Sequence, residues 1–185
     1  MRIVGGEFRG RPLATPASLA IRPTSDRVRE SLFNILQHGF GDPVTGARVL
    51  DLFSGTGALG LEALSRGARF CQFVEDSVEG RGLLRANVEA LGLQGRTKLY
   101  RRDATRLGPV GTLSPFSLLF ADPPYGKGLG EAALASAAEG GWLVPGALAI
   151  VEERVDAGLA APAGFVLEDR RVFGDTAMHM LRFRS

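Results

Sequence analysis

Short apolar runs alternate with amphipathic stretches along most of the chain. Segments near residues 47–53, 69–75, 96–101, 116–121, 146–153, 165–172 and 177–183 carry the apolar or alternating pattern of strands. Stretches near 57–67, 77–91 and 128–140 repeat apolar residues at helical spacing. Strand–helix alternation with apolar strands predicts an α/β fold around a parallel sheet covered on both faces. No helix separates the last two strands, and Gly174-Asp175 has the form of a hairpin turn. Upstream, Thr24-Ser25-Asp26 offers N-cap oxygens to a helix whose stripe is Val28, Leu32, Ile35 and Leu36, ending near Gly39. Before it, Ile3-Val4, a Gly5-Gly6 turn and Phe8 to Leu13 predict a short hairpin, and Pro12, Pro16 and Pro23 keep the following stretch extended.

A chain of 185 residues, 45% hydrophobic and 23% charged, is long enough to bury one real core. Met1-Arg2-Ile3-Val4-Gly5-Gly6 lacks the apolar stretch of a signal peptide, and no run reaches the roughly 18 apolar residues of a membrane span. Cys71 is the single cysteine, so no internal disulfide can form, and two distant histidines complete no metal-ligand spacing. A cytoplasmic, metal-free protein away from membranes is expected, acting as a monomer. The net charge of +2 is unevenly placed: residues 1–30 hold six arginines against three acids, leaving the remainder at −1. A second basic cluster comprises Arg96, Lys98, Arg101, Arg102 and Arg106. Local basic surface on a near-neutral body suits a polyanion, although ordinary solvated faces have the same composition.

Candidate chemistry begins at Val49-Leu50-Asp51-Leu52-Phe53-Ser54-Gly55-Thr56-Gly57-Ala58-Leu59-Gly60, a buried strand feeding a glycine turn and a helix. Gly55 to Gly60 fits the dinucleotide pattern G-x-G-x-x-G, with Glu75 placed to accept ribose hydroxyls. Asp51 argues against a pyrophosphate, which it would repel, and for an amino group, which it would attract. S-adenosylmethionine, with an ammonium, a ribose and no phosphate, fits both acids. Phe53, Gly55 and Gly57 complete the expected turn contacts. After the third strand, Asp103 would accept from an adenine amine, with the Ala104 N–H donating to a ring nitrogen.

A second motif, Asp122-Pro123-Pro124-Tyr125, follows the apolar run Phe116 to Ala121. Both motifs therefore leave strand ends, where an open parallel sheet binds ligands. An exocyclic amine is a poor nucleophile because its lone pair is delocalised into the ring. Asp122 can accept one N–H and the Pro123 carbonyl the other, in a direction fixed by two prolines. Tyr125 offers a face for base stacking, worth roughly 1–3 kcal/mol. Asp-Pro-Pro is also a plain turn former. The two motifs together point to amino-methylation.

The strings Arg2-Ile3-Val4-Gly5-Gly6-Glu7-Phe8-Arg9-Gly10-Arg11 and Arg22-Pro23-Thr24-Ser25-Asp26-Arg27-Val28-Arg29-Glu30-Ser31-Leu32-Phe33-Asn34, with both motifs, resemble the RsmD-type 16S ribosomal RNA guanine-N2 methyltransferases. The resemblance spans nearly the whole chain. It implies a class I S-adenosylmethionine-dependent, Rossmann-like sheet of seven strands with an N-terminal β-hairpin extension, the extension and its helix occupying 1–40 and the methyltransferase domain 41–185. It also implies methylation of one guanine in 16S rRNA in an assembling small ribosomal subunit. Cofactor contacts would fall to Asp51, Gly55, Gly57, Glu75 and Asp103, and the guanine amine to Asp122, Pro123 and Tyr125. Arg9, Arg11, Arg22, Arg27 and Arg29 would be RNA or active-site contacts. Ser117 and Phe173 depart from residues common in the family, and neither touches the expected chemistry.

Three rivals remain at the level of sequence. Asp-Pro-Pro-Tyr also fits adenine-N6 methylation in DNA or RNA, or methylation of a protein glutamine. The glycine turn alone fits a nicotinamide-dependent hydride transfer. A non-catalytic RNA-binding module could keep the fold, against which stands the intact pair of motifs.

Overall fold

The structure is a computed structural model describing residues 1–18 and 24–185. In chain order the elements are α1 (Asp26–Gly39), β1 (Arg48–Leu52), α2 (Ala58–Ser65), β2 (Phe70–Val74), α3 (Val78–Leu91), β3 (Thr97–Tyr100), β4 (Phe116–Ala121), α4 (Leu129–Glu139), β5 (Leu143–Arg154), β6 (Phe165–Phe173) and β7 (Thr176–Phe183). Among the described residues, seven strands form one sheet in the order β3-β2-β1-β4-β5-β7-β6. The first five run parallel, and β7 inserts antiparallel between β5 and β6. Phe173 pairs with Thr176 across Gly174-Asp175, and Gly174 takes φ +60°, which a two-residue hairpin turn needs.

Two apolar layers cover the sheet. One face packs α1, α2 and α3 through Leu32, Phe33, Leu36, Leu61, Leu64, Leu84 and Leu91 against Phe73, Phe120 and Ile150. The other packs α4 through Ala133, Leu134 and Ala137, together with Trp142 and Leu107, against Leu50, Leu119 and Val151. Phe33 of α1 meets Phe120 of β4 with ring centroids 5.6 Å apart, which seats the N-terminus of α1 over the end of the central strands.

β5 starts earlier than its sequence suggests. Val144-Pro145-Gly146 reads as a turn, yet Leu143 already pairs with Phe116, and a register shift before Leu148 absorbs the interruption. The stacked Phe116–Trp142 pair, 6.1 Å between centroids, and the 2.7 Å bond from Trp142 Nε1 to the Gly108 carbonyl anchor that end.

The N-terminal hairpin contracts to a single antiparallel bridge, Arg2 with Pro12, supported by Ile3 N–H to the Arg11 carbonyl at 2.9 Å. Its tip docks on the C-terminal end of α2. Glu7 N–H donates to the Ser65 carbonyl at 2.8 Å and Phe8 N–H to Ser65 Oγ at 2.9 Å. Val4 and Gly5 N–H groups donate to the Glu62 carboxylate at 3.0 and 2.9 Å. Gly6, at φ +79°, has no room for a side chain: a Cβ there would lie 1.9 Å from the Ser65 carbonyl oxygen.

Arg29 corrects the expectation that it contacts RNA. Its side chain is fully buried, and the guanidinium donates to the carbonyls of Thr24 (2.8 Å) and Arg2, to Asp26 Oδ1 (2.8 Å) and to Glu62 Oε1 (3.5 Å). Arg29 and Glu62 thus join α1, α2 and the N-terminal turn through one desolvated ion pair.

Candidate active site

β1 lies between β2 and β4, so the chain reverses its direction of growth across the sheet there. At such a switch point the loops leaving neighbouring strands splay apart and open a crevice. The glycine turn leaves β1 and Asp122-Pro123-Pro124-Tyr125 leaves β4 on opposite sides of this opening. Together they line a cavity of about 790 Å³ with Asp51, Phe53, Ser54, Gly55, Thr56, Glu75 and Thr24.

Local backbone geometry shapes the first wall. Phe53 takes φ +53°, the left-handed region rare for an aromatic residue, and Gly55 follows at φ +53°. The Gly55 N–H donates to Glu75 Oε1 at 2.6 Å, while Glu75 Oε2 accepts from Ser77 N–H at 3.0 Å and Ser77 Oγ at 2.8 Å. These three bonds hold the carboxylate rigidly and leave one lone pair on Oε1. Accepting both hydroxyls of a ribose would require the Ser77 hydroxyl to turn away.

Asp51 is almost fully buried and accepts the Gly60 N–H at 3.0 Å. Burial pushes its carboxyl well above the usual range; the Gly60 bond opposes the rise and nearby Glu75 adds to it. No cation pairs with it among the described residues, so an ammonium delivered by a ligand would complete it. Ser54 Oγ, also in the wall, is a buried hydroxyl oxygen without a hydrogen-bond partner among the described residues. An acid wanting a cation, an acid with a lone pair to spare and an orphaned hydroxyl fit the amino-acid and ribose ends of S-adenosylmethionine. Glu75→Ala is expected to weaken cofactor binding by roughly 1–3 kcal/mol with little change in acceptor RNA affinity, as measured by calorimetry.

The second wall holds the chemistry of β4. Asp122 is half-buried in the cavity wall, receives a long 3.5 Å contact from Thr24 Oγ1, and hydrogen-bonds the Glu152 carboxyl. Desolvation, the Glu152 contact and its charge, and Asp51 raise the Asp122 pKa well above the usual range, while Thr24 opposes the rise. Ala121 pairs with Val151, so Asp122, the first residue beyond β4, follows beside Glu152 of β5. A second cavity of about 720 Å³ lies beyond, lined by Thr24, Ser25, Tyr125, Glu152, Asp175 and Thr176 among others. Thr24, Tyr125 and Arg154 line both cavities, so the two spaces meet beside Tyr125.

Other expected residues sit apart from this junction. Gly57 caps α2 at φ +82°, and a Cβ there would come 2.2 Å from Leu84 Cδ1, so this glycine serves helix packing; the close approach lies on the core side. Asp103 is exposed and its Oδ1 accepts from Thr105 N–H and Oγ1 at 2.8 and 2.7 Å, an arrangement that lowers its pKa. Ala104 is buried in the α4-side core. Neither is in the wall of the 790 Å³ cavity. Arg9 and Arg27 are exposed, Arg11 is exposed with one bond to the Ala90 carbonyl at 2.7 Å, and Arg22 lies outside the described residues. In the second basic cluster, Arg96 holds the Ala68 carbonyl at 2.7 Å and Arg102 the Leu107 carbonyl at 2.6 Å, so both brace loops.

Thr24 and Glu152 escaped the sequence reading. Glu152 carried a usable signal: an acid directly after the apolar run Ala147 to Val151, the pattern shared by Asp51 and Asp122. Thr24 was read as a cap, but Ser25 performs that task, accepting from Val28 N–H.

This fold, with acids and a glycine turn at the switch point, defines a class I S-adenosylmethionine-dependent methyltransferase. The chain belongs to the family described as conserved hypothetical protein 95, whose pattern it matches over residues 1–182. It is 38% identical over 182 residues to ribosomal RNA small subunit methyltransferase D of Escherichia coli K12, covering 97% of this chain and 88% of the relative. The Haemophilus influenzae protein of the same name is 34% identical over 176 residues, covering 94% and 89%. A solved structure from Escherichia coli superposes with a TM-score of 0.84 at 34% identity, covering 100% of this chain and 98% of the other.

Proposed function

We propose that this protein transfers a methyl group from S-adenosylmethionine to the exocyclic N2 amine of a guanine in 16S rRNA, acting as a cytoplasmic monomer on an assembling small subunit. The observation that carries the reading is the junction of two cavities at Thr24 and Tyr125, one with partners for the cofactor and with Asp122 in its wall, the other open to a base. The names of the relatives supply the ribosomal RNA class.

When bound, the cofactor supplies an electrophilic methyl group. Asp51 would receive its ammonium and Glu75 a ribose hydroxyl. Tyr125 stacks on the guanine, Asp122 accepts one amine N–H, and the Pro123 carbonyl accepts the other. Those bonds place the nitrogen lone pair along the line of transfer. Such orientation is worth up to roughly 7–11 kcal/mol in well-positioned systems. As the new N–C bond forms, the methyl–sulfur bond would break and the sulfonium would leave as a neutral thioether; the nitrogen becomes cationic, and ionised Asp122 takes its excess proton. The test is transfer of labelled methyl to small-subunit particles from cells lacking the enzyme. Label in small-subunit RNA supports the reading; label in DNA or protein alone would overturn it.

Residues 1–40 form the proposed substrate-facing extension, and 41–185 the catalytic domain. Arg9, Arg11 and Arg27 remain as exposed contacts to phosphate, with Arg29 removed from that set by its burial. Each lost phosphate contact is expected to flatten the log–log salt dependence of RNA binding by roughly 0.7–0.9. Arg9→Ala combined with Arg11→Ala should therefore weaken RNA binding and reduce its salt slope, with cofactor affinity unchanged. An unaltered slope in filter binding would leave the N-terminal turn as a structural cap.

A further inference from the structure

We infer that Glu152 is a specificity-determining residue that accepts the N1–H of the target guanine, and so admits guanine while rejecting adenine and cytosine. The inference rests on the functional reading above and adds a reader for the edge of the base. Glu152 is only 6% exposed, yet its side chain reaches the wall of the 720 Å³ cavity. Its hydrogen bond goes to Asp122, itself an acid, and no cation pairs with it among the described residues. The neighbouring Glu153 provides a contrast. Its Oε1 is satisfied by Gly126 N–H at 3.0 Å and Arg154 N–H at 2.7 Å, tying the loop after Tyr125 to β5. Glu153 is structural; Glu152 is a buried carboxyl held without a cation.

The chemistry of the bases decides what fits. Beside its amine, guanine presents a second donor, N1–H, so two adjacent carboxyls meet two adjacent donors. Adenine N6 and cytosine N4 are each flanked on the Watson–Crick edge by an unprotonated ring nitrogen. A carboxyl oxygen facing that nitrogen sets lone pair against lone pair in the pocket wall. Sites built to bond a particular N–H or O–H reject analogues lacking it far more strongly than apolar pockets reject a missing methylene. The register of β4 and β5 supplies the spacing, since Ala121 pairs with Val151 and each acid follows directly in its chain.

2-Aminopurine isolates the interaction, because it keeps the 2-amine and lacks the N1–H. Small-subunit particles are reconstituted with guanine or 2-aminopurine at the modified position, and kcat/KM is measured for wild type and Glu152→Gln. Wild type should favour guanine by at least about 100-fold. The glutamine amide can accept from N1–H or, turned over, donate to an unprotonated N1, so the variant should gain 2-aminopurine activity and narrow the preference to about tenfold or less, with unchanged cofactor affinity. A purely structural role would lower both substrates together and leave the ratio intact, which overturns the assignment. A wild-type ratio near one overturns it without recourse to the variant. A wild-type product other than N2-methylguanosine would instead overturn the functional reading itself.

Discussion

Asp122→Ala is expected to lower kcat by on the order of 10²–10³-fold while leaving cofactor affinity within about twofold, comparable to losing one preorganised hydrogen-bonding group in a water-excluded site. Asp122→Asn keeps an acceptor oxygen and should lie between alanine and wild type. The pH profile separates their roles. Desolvation and the neighbouring acids hold the Asp122 pKa well above the ordinary carboxylate value, so its ionised form is withheld until pH exceeds that raised value. Activity dependent on ionised Asp122 should rise with pH through that point, and the rising limb should be absent from Asp122→Asn. Stability has the opposite sign. The folded state binds this proton more tightly than the unfolded chain, so stability is greatest below the unfolded pKa and falls as pH rises through the folded one. Asp122→Asn should therefore melt higher than wild type at neutral pH, trading rate for stability. Equal melting temperatures and a retained rising limb would show that the acid is neither strained nor titrating in turnover.

Arg29→Ala should be the most damaging substitution to the fold. It leaves Glu62 buried without its partner from α1 and removes the bonds to the Thr24 and Arg2 carbonyls. Breaking one side of a buried ion pair costs about 3–5 kcal/mol. For a domain of this size that corresponds to a fall in Tm of roughly 6–20 °C. Glu62 retains Arg66 Nε at 2.8 Å, which places the expectation toward the lower end. Arg9→Ala, at an exposed site, should change stability by less than about 0.5 kcal/mol. Thermal denaturation of the two variants distinguishes a structural arginine from a surface one. A wild-type Tm for Arg29→Ala with weakened RNA binding would return Arg29 to the RNA surface.

The centre of the sheet was legible because β1, β2, β4 and the latter half of β5 are largely apolar, and because glycine and proline mark several strand ends. The Gly174-Asp175 hairpin and the switch-point motifs were equally plain, each being local in sequence. What escaped depends on contacts between distant segments. Arg29 was grouped with the basic N-terminus by charge, although its spacing to Leu32, Phe33 and Leu36 places it on the buried stripe of α1. Its partner Glu62 lies 33 positions away, and charge counting cannot see such a pair. The N-terminal hairpin was read as an appendage because its docking bonds reach Glu62 and Ser65, far along the chain. Glu152 required knowing that β5 lies beside β4, a fact of sheet order. The glycine pattern was read whole as a ligand motif, whereas its members divide: Gly55 bonds Glu75 in the cavity wall, Gly57 clears Leu84, and Gly60 faces Cys71 and Phe73, where a Cβ would come within 2.6 Å of each.

The proposed reaction joins an S-adenosylmethionine methyl group to a guanine amine in small-subunit RNA where the two cavities meet. Its most direct test is nucleoside mass spectrometry of small-subunit RNA, taken from particles of cells lacking the enzyme and incubated with purified protein and isotopically labelled cofactor. The account predicts labelled N2-methylguanosine at one position, absent when Asp122→Ala replaces wild type. Labelled N6-methyladenosine, or no labelled nucleoside from an enzyme that binds both cofactor and particle, would contradict it.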